Sequence, residues 1–401
     1  MNEPLSDNAP QPMSDEDRYS RLRLIGWWKQ SVLKEAKVLV VGAGALGNEV
    51  LKNLALVGVG EIILVDFDRI ELSNLSRSVL FRAEDKGKSK AQVAADAVRS
   101  LNPEVKVTPL EANIMTDVGL GVFAEVGVVI GCLDNREARL WVNRSCWKTT
   151  TPWIDGAIQE INGVFKVYLP PDGTCYECTM TENDYRLINL RYSCPQLREE
   201  EISAGKVPTA PTIASIVAGW QTQEALKILH DLPVTGGVAT VFNGLSNQTY
   251  QTKLPRKEDC LSHETYPIPH ATGLRVSEAT ANELFQKAKP LFKSEAKPLT
   301  LHLERDLVSS FRCHECGNQI EVLKPTLAVY RKDAKCSECG HPEMEPIILH
   351  SLDSEDALAK KKLSDLGIAP FDWIRITSEE EEQFLSLDGD KNHFFDCADE
   401  D

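Results

Sequence analysis

Residues 37–68 read KVLVVGAGALGNEVLKNLALVGVGEIILVDFD. Val38–Val41 is a continuous apolar run, as expected of a parallel strand buried on both faces. Gly42, Gly44 and Gly47 follow in the GxGxxG register. Leu46, Val50, Leu51, Leu54 and Val57 then recur at helical spacing, and Ile62–Val65 forms a second strand. Strand, glycine turn, helix and strand together open a doubly wound sheet. Glycines there let backbone amides approach a phosphate at a helix N-terminus, and Asp66 and Asp68 stand at the end of the second strand. The spacing therefore predicts a nucleotide site; the bland alternative is a turn that only packs helix on strand.

Working outward, KSKAQVAADAVRSLN (88–102) predicts a helix ended by Pro103, and VGVVIGCLDN (126–135) a further strand. GVFKVYLP (163–170) reads as another strand and PTIASIVAGWQTQEALKILHDL (211–232) as a long, mostly buried helix. The expected fold is α/β: a Rossmann-like, doubly wound, mainly parallel sheet, with a smaller C-terminal zinc-ribbon domain. Composition shifts near Pro255, where proline and charge rise. The expected organisation is a disordered tail over 1–16, a nucleotide domain over 17–265, a second domain over 266–378 and an acidic tail over 379–401. That last stretch holds ten acids against one lysine and reads as solvated.

The 401 residues carry a net charge of −16, which argues against a nucleic-acid partner. No apolar run is long enough to span a membrane, and the acidic, proline-bearing start is not a signal peptide, so a cytosolic protein is expected. Eleven cysteines in such a chain point to metal rather than disulfides. Six form CxxC pairs: Cys175/Cys178, Cys313/Cys316 and Cys336/Cys339. The last two pairs make CxxC-x19-CxxC, close to a zinc-ribbon template, and Gly317 and Gly340 follow them as knuckle turns require. The ribbon is expected over 311–348.

A nicotinamide dehydrogenase would be the default reading of the glycine turn. The stretch LVDFDRIELSNLSRSVLF (64–81) opposes it by placing Asp68, Asn74 and Arg77 just past a strand end. Lys90 follows at a helix start, and CLDN puts Asp134 and Asn135 at the end of a later strand. An arginine, a lysine, an asparagine and a spare aspartate suit a triphosphate with magnesium better than a dinucleotide.

In order, RYSRLRL, GAGALGNE, DFDRIELSNLSR, KSKAQVAADAVRSLNP, CLDN and CYEC resemble the adenylyltransferases that activate ubiquitin-like proteins: the MoeB and ThiF type, and the adenylation domains of ubiquitin-activating enzymes. The likeness runs from about Arg18 to His263. It implies that Gly42, Gly44 and Gly47 line ATP phosphates, that Asp66 or, preferably, Asp68 takes the ribose, and that Asn74, Arg77 and Lys90 meet the triphosphate. It further implies magnesium on Asp134, and Arg21 reaching the γ-phosphate from the other subunit of a homodimer. Ser78 stands where the family pattern has glutamine.

The resemblance also implies a structural Cys3His zinc site in which Cys260 and His263 complete Cys175 and Cys178. It places Cys194 in the segment that carries the family's acceptor cysteine, although the SCPQLREEE setting departs from the usual glycine-rich one. Arg191 and Arg198 are close in sequence and favour a thiolate; the alternative is an ordinary loop cysteine. Cys132 and Cys146 read as core residues, and Cys397 lies in the acidic tail. The implied activity is ATP- and magnesium-dependent adenylation of a ubiquitin-like protein's C-terminus, thioester formation on Cys194 and transfer to a conjugating enzyme. The rivals are activation of a sulfur-carrier protein for molybdopterin or thiamine synthesis, and a non-catalytic binding scaffold. For the C-terminal domain, a scaffold around the ribbon and a docking platform for the modifier or its conjugating enzyme stay open alternatives.

Overall fold

The computed structural model describes residues 17–193, 208–293, 298–329, 331–379 and 381–389. Backbone alone is described for 189–193 and 331–332. Eight strands form the first sheet: β1 (Lys37–Val41), β2 (Glu61–Val65), β3 (Lys106–Leu110), β4 (Val128–Gly131), β5 (Trp153–Gln159), β6 (Asn162–Tyr168), β7 (Val238–Asn243) and β8 (Gln248–Lys253). Their order is β3-β2-β1-β4-β5-β6-β7-β8. The five strands from β3 to β5 are parallel, and β6, β7 and β8 continue the sheet antiparallel.

The helices of this part are α1 (Gln30–Glu35), α2 (Ala45–Val57), α3 (Lys90–Leu101), α4 (Leu120–Ala124), α5 (Arg136–Lys148), α6 (Glu182–Ser193) and α7 (Pro211–Leu229). They cover both faces because the central strands are apolar on both. Val38, Val40, Ile62, Leu64, Val128 and Ile130 pack with α2, α3 and α7 on one side. Leu39, Val41, Ile63, Val65 and Val129 pack with Phe123, Leu140 and Val142 of α4 and α5 on the other. From β1 the chain goes to β2 on one side, while β4 lies on the other, so the switch point of the sheet falls between β1 and β4. None of the described helices is long and apolar enough to cross a membrane.

A second sheet holds β9 (His270–Arg275), β10 (Thr300–Arg312), β11 (Gln319–Pro325), β12 (Glu345–Asp353), β13 (Trp373–Ser378) and β14 (Glu381–Asp388), with α8 (Ala281–Ala288) packed on it. Its path is β11-β10-β13-β14-β9, with β12 also paired to β10. The acidic tail expected over 379–401 is corrected for its first part, while 390–401 lie outside the described residues. Glu381–Asp388 is a strand between β13 and β9, with Phe384, Leu385 and Leu387 buried. The charge run hid these three apolar residues, and the parallel partner His270–Arg275 is distant in sequence. The stretch LAKKKLSDLG (358–367) lies in two short 3-10 turns, Ala357–Lys360 and Ser364–Leu366.

The two sheets are joined through buried charge. Arg305 of β10 pairs with Asp372 at 2.5 Å, with the two side chains 3% and 1% exposed. The same guanidinium donates to the Met115 and Val118 carbonyls and lies 4.7 Å over the Trp141 ring. Glu304 accepts from Lys148 of α5 and from the Tyr266 hydroxyl.

Candidate active site at the carboxyl edge

The glycine turn sits at the switch point. Gly42 has φ +100°, and a Cβ there would lie 2.5 Å from the Cys132 carbonyl oxygen. A Cβ on Gly47 would lie 1.9 Å from the Gly42 carbonyl oxygen. Both glycines are therefore required by close packing of turn, helix and neighbouring strand. Gly44 differs: its φ is −74° and nothing lies within 4 Å of its would-be Cβ, so the space in front of the α2 N-terminus is open.

Asp66 fixes this turn from the next strand. Its carboxylate accepts the Ala43 amide at 2.6 Å and the Asp68 amide at 2.7 Å. Burial pushes the Asp66 carboxyl above its usual range, against the pull of Lys90. Asp68 is half exposed and pairs with the largely buried Lys90 ammonium at 2.7 Å. Asn74 turns its side-chain oxygen onto the Glu71 amide, and Arg77 donates to the Ser73 carbonyl at 2.8 Å. Both side chains thus fold back on the 71–77 loop. Ser78 is buried beneath that loop.

Beyond β4, Asn135 accepts the Ala138 amide at 2.8 Å and caps α5. It also donates to Asp134 at 3.3 Å, and Asp134 is exposed at the same carboxyl edge as the glycine turn. A cavity of about 720 Å³ opens nearby between Arg69, Arg82, Gln92 and Glu111, but the glycine turn is not on its wall.

Three residues that the sequence reading passed over hold these pieces together. Asn48 is fully buried; its amide nitrogen donates to the Ala43 and Gly44 carbonyls and its oxygen accepts the Leu80 amide. It locks the turn to the 71–80 loop. Arg139 of α5 donates to Asp155 at 2.9 Å, to the Leu133 carbonyl and to the Gly156 carbonyl, tying the CLDN loop to β5. The signals were a polar residue on the apolar face of α2, and an aspartate inside the apolar run WIDGAI.

Arg21 lies at the opposite edge. Two residues before it, Tyr19 accepts from Asn102 at 2.7 Å, and its ring sits where a Cβ on Gly58 would be. Both contacts precede β2 and β3 at their amino ends. The five-residue strand β1 places that edge about 15 Å from the glycine turn. Arg21 is exposed, and its side chain makes no hydrogen bond or ion pair among the described residues.

Cys175, Cys178, Cys260 and His263 converge, with all ligand atoms within 4.8 Å of one another. The Cys175 sulfur is 3.6 Å from that of Cys178 and 3.5 Å from that of Cys260, and Cys178 is 3.3 Å from the His263 Nε2. Sulfurs on a tetrahedral zinc lie about 3.8 Å apart, so this donor set fits the ion. The His263 ring stacks on the buried Trp147 at 4.3 Å. Cys313, Cys316, Cys336 and Cys339 converge in the same way, with sulfur pairs at 3.5 and 3.6 Å. Gly317 and Gly340 take φ of +74° and +73° and donate to the Cys313 and Cys336 carbonyls. Both clusters could hold zinc. Cys146 is buried and Cys132 partly so; burial pushes both thiols up. Cys194 lies outside the described residues, as do Arg198 and Cys397.

Residues 17–262 match the ThiF family model. The chain is 32% identical over 254 residues to the sulfur carrier protein ThiS adenylyltransferase of Escherichia coli, covering 62% of this chain and 96% of that one. It is 41% identical over 169 residues to the SAMP-activating enzyme E1 of Haloferax volcanii, covering 41% of this chain and 62% of that one. Among solved structures it is similar to Escherichia coli MccB with ATP, at a TM-score of 0.52 and 27% identity, covering 63% of this chain and 75% of that one.

Proposed function

Because the chain belongs to the ThiF family, we propose that it uses ATP to adenylate the C-terminal carboxylate of a ubiquitin-like protein, holds the product as a thioester on Cys194 and passes it to a conjugating enzyme. The observation carrying the adenylation is the open helix N-terminus at Gly44, flanked by Lys90 and Asp134 at one sheet edge. A carboxylate is a poor acyl donor because oxide would have to leave. Its attack on the α-phosphorus of ATP, with pyrophosphate departing, supplies AMP as a leaving group.

In this reading the α2 amides and Lys90 bind phosphate, releasing Asp68 from its ion pair toward the ribose. Asp66 has both oxygens engaged by backbone amides and serves the turn rather than the sugar. Asn74 and Arg77 swing from their own loop to the phosphates. Asp134 would hold magnesium, which neutralises phosphate charge when bound. The Cys194 thiolate would then attack the acyl carbon, breaking the bond to AMP. Arg21 would act from a partner subunit, since its own site is across the sheet.

A second reading, activation of a sulfur carrier, is favoured by the match along 96% of the ThiS adenylyltransferase. The test mixes the full chain with ATP, magnesium and a candidate modifier ending in glycine, read by intact mass and non-reducing gel. A reductant-labile adduct lost in both Cys194→Ala and Asp134→Ala supports conjugation. Pyrophosphate release that survives Cys194→Ala without an adduct supports adenylation alone.

A further inference from the structure

One charged group beside the site has no role in the reading above. The strands are in register so that Val41, Gly131, Asp155 and Lys166 form one row across β1, β4, β5 and β6. Directly opposed residues share a face, so Asp155 and Lys166 lie together on the α5 side. Asp155 is already used: it is 3% exposed and bound to Arg139. Lys166 is half-buried, yet its ammonium makes no hydrogen bond or ion pair among the described residues. The Tyr176 ring lies 5.6 Å away, and a neutral ring so distant is a weak substitute for an anion. Two residues on, the Tyr168 hydroxyl on the same face is also buried, without a hydrogen-bond partner among the described residues. Burial holds the lysine below its usual pKa, opposed by Asp155 and aided by Arg139.

Arg139, Asp155 and Lys166 therefore leave one positive charge in a partly desolvated site, an arrangement that is costly unless something outside the chain completes it. The row fixes where that something lies. Strands are about 4.8 Å apart, so Lys166 stands about 10 Å from Gly131, where the CLDN loop begins. An extended chain covers that distance in about three residues. Phosphates belong over the glycine turn, a further strand away.

We infer that the Lys166 ammonium receives a carboxylate of the incoming carrier-protein tail and so sets which tails are admitted. The inference rests on the adenylation reading for the tail's identity. The carboxylate has two sources: an acidic side chain two or three residues before the C-terminal glycine, or the terminal carboxylate itself before it reaches the phosphate.

The test uses four synthetic heptapeptides ending in Gly-Gly, with Glu or Gln third from the end, each as free acid and as amide. Binding to the full chain is measured by calorimetry for the native protein, Lys166→Met and Lys166→Arg. A side-chain source makes the Glu peptides bind about tenfold or more tightly than the Gln peptides; a terminal source gives that margin to free acids over amides. Either preference should vanish in Lys166→Met and persist in Lys166→Arg, with ATP affinity unchanged in both. Equal binding of all four peptides, a preference that survives Lys166→Met, or no binding of any peptide overturns the inference. So does a loss confined to ATP. Pyrophosphate exchange is read separately: its absence with the preference intact strikes the adenylation reading, and its presence without any preference strikes only the role of Lys166.

Discussion

Gly44 and Gly47 sit three residues apart on one turn, and a methyl group meets open space at the first and a carbonyl oxygen at the second. Gly47→Ala should therefore cost about 1–3 kcal/mol in urea unfolding, since neither the helix nor the turn after β1 can give way. Gly44→Ala should leave stability within about 0.5 kcal/mol and weaken ATP binding several-fold by calorimetry, because its space belongs to the ligand. Unchanged ATP affinity in Gly44→Ala would place the phosphates elsewhere. Asn48→Ala strips the side-chain partner from the buried Ala43 carbonyl and Leu80 amide and should cost about 2–3 kcal/mol, more than any exposed substitution on the 71–77 loop.

At the scale of elements, the strand ends at β10–β12 carry little apolar packing of their own. The small cluster of Val308, Phe311, Val329 and Met344 is closed by the cysteines at its tip. Native protein should hold about two zinc ions per chain, one for each cluster, and Cys313→Ser should lower that to one. Chelation should first remove hydrogen-exchange protection at residues 313–340 while β1, β2 and β4 stay protected, since the latter are buried on both faces. Uniform loss of protection would mean the ribbon is not a separate cooperative unit.

At the scale of the whole molecule, a few charges hold the second sheet against the first. Arg305→Met strands Asp372 as a buried carboxylate and should cost about 3–5 kcal/mol, seen as easier proteolysis between the sheets. Glu304 adds a pH dependence. Burial alone would raise its carboxyl, but Lys148 and Tyr266 outweigh that and hold it below the usual range. A depressed carboxyl stabilises the fold fully above about pH 5, and the contribution is lost as pH falls through its folded value. The melting temperatures of native protein and Glu304→Gln should differ at pH 7 and converge toward pH 3. Partnership between copies is tested by mixing. If Arg21 acts in trans, inactive Arg21→Ala and Asp134→Ala proteins combined should regain roughly a quarter of native sites by random pairing in a two-fold dimer. No recovery would mean that each chain is self-contained, and an active Arg21→Ala protein would mean that Arg21 has no role.

The doubly wound half of this protein was legible in its sequence. Its signals are local: an apolar run, a GxGxxG turn and helical spacing each need only a few neighbouring residues to be read. The ribbon cysteines were legible for the same reason, their spacing being short and chemically specific. Tertiary structure alone decided the rest. Glu381–Asp388 pairs with its neighbour β13, and it also joins β9, a segment more than a hundred residues earlier that nothing in its own sequence announces. Asn48, Arg139 and Lys166 gained meaning only when strand register set them beside a turn, a loop and a filled carboxylate. Such pairings join residues far apart in the chain, and no local pattern records which distant groups will meet.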